Sequence, residues 1–154
     1  MSKPSFVYVT YIRTTAEKLW QALINPEFNR QYWFGAHQES EWKKGKPWQL
    51  VFADGRTADT GEIIDIDPLR LIVIRWRNEF MPELKAEGYT RCTIAIEPQG
   101  DMMKLTITHE SEDERPHKLI EKVQSGWPLI LASLKSLLET GKALERTDQL
   151  PKAQ

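Results

Sequence analysis

Hydrophobic and polar residues alternate along most of this chain with a period of two, giving way to a helical period after the first strand and again near the C-terminus. "FVYVTYI" (6–12) is rich in β-branched and aromatic residues and predicts a strand. In "TTAEKLWQALINP", Ala16, Leu19, Trp20 and Leu23 share one helical face. Thr14 and Glu17 stand at capping-box spacing, and Asn25-Pro26 is the stop. Pro26 also opens a second short helix, "PEFNRQYWFG", in which Phe28 and Tyr32 share a side and Gly35 ends the run.

From residue 37 the pattern predicts strands at 37–43, 47–53, 57–66, 69–77, 88–97 and 102–110. The links between them ("KKGK", Asp54-Gly55, "DP", "PQGD") are short turn sequences, so consecutive strands run antiparallel. Only 78–87, "NEFMPELKAE", is long enough for a flap. The last strand alternates most clearly: Met103, Leu105, Ile107 and His109 point one way, Lys104, Thr106, Thr108 and Glu110 the other. Glu62 shares its parity with Ile64 and Ile66, which predicts an inward position, although Ile63 interrupts the alternation.

A sheet with one dry face needs a cover. The segment "GWPLILASLKSLLETG" and the residues before it supply one. Leu119, Ile120, Val123, Trp127, Ile130, Leu131, Leu134, Leu137 and Leu138 form one broad helical stripe, with Gly141 as the stop. Pro128 predicts a kink near Gly126–Pro128, or a fresh helix capped by Ser125. Residues 142–154 carry no stripe and are read as a loose tail, leaving 1–141 as a single domain. The fold class is α+β: a curved antiparallel sheet of about seven strands around a long C-terminal helix, with two short helices after the first strand.

Composition narrows the function classes. Charged residues are 28% and hydrophobic ones 40%, which excludes a disordered chain. The net charge of −1, with both signs mixed along the sequence, offers no basic footprint for nucleic acid. One cysteine, Cys92, precludes an internal disulfide. Neither a signal peptide nor a membrane span is present in the pattern, so a cytoplasmic location is expected.

The runs "AEKLWQALINPEFNRQYW", "DGRTADTGEIIDIDPLRLIVIRW" and "SGWPLILASLKSLLETG" resemble the family related to the C-terminal domain of the activators of the heat-shock-90 chaperone ATPase. That family lies within the START-like (SRPBCC) helix-grip superfamily. The resemblance covers about residues 6 to 141 and implies framework roles for Trp20, Pro26, Trp33, Gly61, Trp76, Gly126 and Trp127. "KKGKPW" (43–48) departs from the paired glycines often found there. Eukaryotic activators use a separate N-terminal domain to engage the chaperone, and no such second domain is expected in this chain. The resemblance also implies a cavity between sheet and helix that admits a lipid, sterol, polyketide or other small hydrophobic molecule.

Candidate residues follow from that cavity. Tyr32, Trp33, Trp48, Trp76, Tyr89, His109, Met103, Leu105, Ile130 and Leu134 are its expected ligand-contacting residues: indoles as walls, tyrosine hydroxyls at the rim, His109 as a polar handle at the mouth. Trp20 and Trp127 are expected as packing anchors. Glu62 with Arg75, Arg77 or Arg91 forms either an inward pair or cross-strand surface pairs. The three histidines, His37, His109 and His117, match no metal-binding spacing, and no metal or other cofactor is expected. No nucleophile elbow, phosphate loop or dinucleotide fingerprint occurs, and Cys92 reads as a buried thiol.

The leading expectation is therefore a non-enzymatic binder of a hydrophobic or amphipathic small molecule. The alternatives are a stress-related module that contacts the chaperone, and a cavity enzyme such as a cyclase, hydrolase or dehydratase using His109 or Glu62 as acid–base group. Either a monomer or a weak homodimer through an exposed strand edge fits the pattern.

Overall fold

A computed structural model describes residues 3–115 and 117–144. The elements run β1 (Ser5–Ile12), α1 (Ala16–Ile24), α2 (Pro26–Tyr32), β2 (His37–Ser40), β3 (Pro47–Val51), β4 (Thr57–Asp67), β5 (Leu71–Asn78), α3 (Pro82–Lys85), β6 (Thr90–Gln99), β7 (Met102–Ser111) and α4 (Lys118–Thr140). All seven strands form one antiparallel sheet in the order β1-β7-β6-β5-β4-β3-β2. The chain thus meanders from β2 to β7 and closes on β1, with α4 across the dry face. This is the helix-grip architecture expected from the sequence.

Local chemistry sets the boundaries. Helix α1 is capped by Thr15, whose hydroxyl accepts from Lys18 N at 3.2 Å, so the cap falls one residue later than the Thr14–Glu17 spacing predicts. The Asn25 side chain accepts from Glu27 N and starts α2. Strand β2 stops at Ser40, short of the expected 43, because Trp42 takes a left-handed conformation (φ 55°) entering the turn. Strand β4 carries a bulge: Ile63 pairs with Ile74, whereas Asp65 pairs with Val73, so Ile64 is an extra residue. The bulge reverses side-chain parity. Ile66 still faces the core side with Ile72, but ahead of the bulge the inward set is Asp59, Gly61 and Ile63. Glu62 therefore points outward, opposite Arg75, which agrees with the cross-strand surface reading and not with the inward one.

Gly61 is fixed by close approach. A Cβ at this position would lie 1.6 Å from the Arg75 carbonyl oxygen, so no other residue fits without separating β4 from β5. It pairs with Trp48 on one side and Trp76 on the other, and those rings meet with centroids 4.4 Å apart.

Helix α4 runs as one helix from Lys118 to Thr140 through Gly126–Pro128, so Ser125 starts no new helix. Pro128 withdraws one donor, and the carbonyl it would have served belongs to Gln124, which is exposed to solvent. Gly141, at φ 85°, ends the helix in the left-handed conformation as its sequence position predicts. The first tail residues fold back: Leu144 N donates to Ser133 Oγ at 3.0 Å. The remainder of the expected tail, 145–154, lies outside the described residues. Among the described residues no helix is long and apolar enough to cross a membrane.

Candidate functional site

Sheet and helix border a cavity of about 200 Å³, open to solvent on one side, beneath the N-terminal half of α4. Its floor is β3, β4 and β5, through Leu50, Asp59 and Trp76; its roof is α4, through Leu119, Val123, Trp127 and Ile130; Trp33 closes the inner wall. The 79–88 connection forms the remaining side. That segment is built on α3, where Leu84 is buried against the core and Met81 N donates to the Asn78 side chain at 2.9 Å. Phe80 is 47% exposed and stands edge-on to Phe52, with centroids 5.0 Å apart, which puts it at the rim beside Lys122. A larger hollow of about 560 Å³ lies between exposed turn residues such as Asp67, Pro68 and Leu69 and the neighbouring strand ends, away from the helix.

Three indoles dominate the lining. Trp33 and Trp127 have centroids 5.2 Å apart, and Trp76 stands 6.2 Å from Trp127 and 6.4 Å from Trp33. Gly126 of α4 borders the same hollow. A Cβ at Gly126 would meet nothing within 4 Å, so the helix stripe has a missing side chain directly over the hollow.

Asp59 is the one acidic residue in the lining, and it is 5% exposed. Burial pushes its carboxyl up to about 7, against the hydrogen bonds of the Trp76 and Asn78 side chains, which favour the ionised form; the nearby Glu79 charge adds to the rise. Its Oδ1 has no hydrogen-bond partner among the described residues. Glu79 is itself held low by Arg77, Lys85 and Thr60, so its charge persists.

His109 stands behind this wall rather than at the mouth. It is fully buried, its Nε2 lies 2.7 Å from Thr90 Oγ1, and Trp127 Nε1 points at Nδ1 from 3.4 Å. Thr90 in turn donates to the Trp76 carbonyl, so the consistent tautomer has Nε2–H donating to Thr90 and Nδ1 accepting. Burial, with His117 nearby, depresses its pKa to about 3, and the ring is neutral throughout the ordinary pH range.

Of the residues expected from the sequence, Trp33, Trp76 and Ile130 line the cavity. Trp48, Met103, Leu105 and Leu134 are buried in the core away from it, and Trp48 donates to Gln38 Oε1 at 3.0 Å. The Tyr32 hydroxyl is also internal: it donates to the Ala22 carbonyl at 2.7 Å and accepts from Asn29, and burial raises its pKa. Tyr89 lies outside, its ring under the Arg75 and Arg77 guanidinium groups at 4.2 and 5.0 Å. Those arginines pair with Glu112 and Glu79 on the outer face, and Arg91 is exposed beside Arg75. Burial raises the Cys92 thiol too, leaving it protonated. Among the described residues no cluster of three or more His, Cys, Asp or Glu side chains could hold a metal.

Sequence reasoning passed over Asp59, Leu84 and Gly126. The parity of Ile63, taken instead of that of Ile64 and Ile66, was the signal that points Asp59 inward. Gly126 was visible as a gap in an otherwise large-residue stripe.

Comparisons with known proteins agree with this architecture. Among solved structures, the protein SSP2350 from Staphylococcus saprophyticus superposes with a TM-score of 0.71 at 21% identity, covering 92% of this chain and 96% of its own. DynU16, from the dynemicin biosynthetic locus, gives a TM-score of 0.72 at 18% identity over 92% of this chain, which matches 49% of DynU16. PFC0360w, an HSP90 activator from Plasmodium falciparum, gives 0.69 at 21% identity, covering 87% of this chain and 95% of its own. At such identities the likeness is one of fold. No curated protein sequence matches the chain. The family model for Activator of Hsp90 ATPase homolog 1-like proteins matches residues 13–139, and this chain belongs to that family.

Proposed function

We propose that the protein binds a small, largely apolar molecule in the cavity between α4 and the sheet. The observation that carries this reading is the hollow itself. A pocket of about 200 Å³ that opens to solvent is lined beneath α4 by Trp33, Trp76, Trp127, Leu84 and Ile130. An apolar cavity of about 150 Å³ takes up benzene in an engineered protein, so this space fits a single ring with a short chain. The 79–88 connection and the Phe80–Lys122 rim form its mouth. DynU16, which shares the fold, comes from the dynemicin biosynthetic locus, and that origin supports the reading.

Gly126→Leu tests it. The new side chain projects into open space, so the variant keeps its circular dichroism and cooperative melting while the cavity is filled. Titration of the wild type with ethylbenzene is expected to shift the Trp76 and Trp127 indole resonances saturably, and Gly126→Leu to abolish the shift. No saturable change with ethylbenzene, indole or a short-chain alcohol, or an unchanged response in Gly126→Leu, overturns the proposal. A chain that acts through its outer surface alone gives the second result.

A further inference from the structure

On the reading that the cavity is a binding site, we infer that its occupant is a primary, secondary or tertiary amine in protonated form. Its N–H donates to the Asp59 carboxylate, and its carbon body lies against Trp33, Trp76 and Trp127. Two independent features of the lining converge on a cation. The first is an aspartate of the lining, 5% exposed, with one carboxylate oxygen buried and unpartnered among the described residues. A buried acceptor in that state costs free energy that a donor from the ligand would recover. The second is the set of indoles around the same space. Aromatic faces carry negative potential and attract ammonium groups, tryptophan most strongly. A neutral hydroxyl would gain an ordinary hydrogen bond to the carboxylate, an anion would be repelled, and an ammonium gains a charge-assisted bond about twice as strong.

The surrounding charges leave that role open. From β5, the Trp76 and Asn78 side chains favour the ionised form of the Asp59 carboxyl, and Glu79 adds negative charge. From β3 and α3 the facing residues are Leu50 and Leu84, both uncharged. From α4 comes Lys122 at the rim, and no ion pair joins it to Asp59 among the described residues. The cavity therefore holds one acid and no compensating cation at its inner end. Its volume limits the ligand to about the size of an arylalkylamine.

The sign of the pH dependence follows. The free carboxyl titrates at about 7, whereas a simple alkylamine stays charged to about pH 10. Below pH 7 the amine must displace a proton from Asp59, so affinity falls about tenfold per pH unit. Between pH 7 and 9 it is nearly flat.

The experiment is calorimetric titration of the full chain with 2-phenylethylamine, 2-phenylethanol and ethylbenzene at pH 6, 7 and 8. The amine is expected to bind at least tenfold more tightly than the alcohol at pH 8 and to weaken steeply toward pH 6, while the two neutral probes stay constant. Asp59→Asn brings the amine down to the level of the alcohol. Should that variant fail to fold, the wild-type pH profile decides alone. Equal affinity for amine and alcohol, or an amine affinity that ignores pH, overturns the inference and leaves the cavity reading standing, because the neutral probes still bind. Absence of binding by all three removes the cavity reading, and the inference with it.

Discussion

The two halves of α4 cover one sheet and are made of similar residues, yet one is sealed and the other hollow. Toward its C-terminus, Leu131 and Leu134 belong to the same core as Ile12, Leu105 and Ile107, and every one of these is almost completely buried. Toward its N-terminus, Leu119, Val123, Gly126 and Trp127 stand over the cavity. The difference lies in side-chain volume rather than in hydrophobicity. A glycine replaces one large residue of the stripe, and rigid indoles on the facing walls cannot collapse into the gap. Filled packing holds the frame together, and incomplete packing leaves room for chemistry on the same helix.

Truncation should separate the halves most sharply. Leu134→Ala opens a new void in the sealed end and is expected to cost about 3–4 kcal/mol, within the range for buried leucines. Leu84→Ala enlarges a space that already exists, loses fewer contacts, and should cost about 2 kcal/mol. Urea unfolding of both variants checks this, and equal costs would erase the contrast.

Acidity gives the next largest effect. Asp59 has its folded pKa raised from 3.8 to about 7. Its protonated form is therefore favoured by folding, and that stability is complete below about pH 4 and lost as pH rises through 7. Asp59→Asn should remove the loss and make the protein about 2–4 kcal/mol more stable at pH 8, measured against wild type by chemical denaturation. His109 acts with the opposite sign. Its folded pKa is depressed to about 3, so stability falls as pH drops below about 6.5. Between pH 4 and 6.5 the two slopes oppose each other in the wild type, and in Asp59→Asn the histidine slope stands alone.

The smallest expected change is at Gly126. Alanine there touches nothing and lowers the entropy of the unfolded chain, so Gly126→Ala should stabilise by about 0.5–1 kcal/mol, a rise of a few degrees in melting temperature. A destabilised variant would mean that the helix needs glycine for its backbone rather than for the space beneath it.

The frame was legible because strands and helices leave periodic traces. Met103, Leu105 and Ile107 alternate cleanly, and the α4 stripe keeps its spacing for six turns through a proline that periodicity alone cannot judge. The site was legible in part. Trp33, Trp76 and Ile130 announce themselves as large apolar residues on inward faces. Trp48 and Leu134 look the same in sequence and are packed solid, because whether a residue borders a void depends on its neighbours in space. Asp59 was obscured by the bulge at Ile64, which inverts the side-chain alternation of β4 and made Glu62 look inward in its place. His109 sits on the inward face, as its alternation implies, but two larger rings stand between it and the hollow.

One contact at the start of α4 has a mechanical consequence. The Glu87 carboxylate accepts the Lys118 backbone N–H through both oxygens, at 3.0 and 3.1 Å, and its Oε1 lies 3.3 Å from His117 Nδ1. Glu87 belongs to the same connection that supplies Phe80, Met81 and Leu84 to the cavity wall. The cavity wall and the start of the helix overhead are thus tied by one side chain: any outward displacement of the segment would also take away the acceptor of the helix's first N–H.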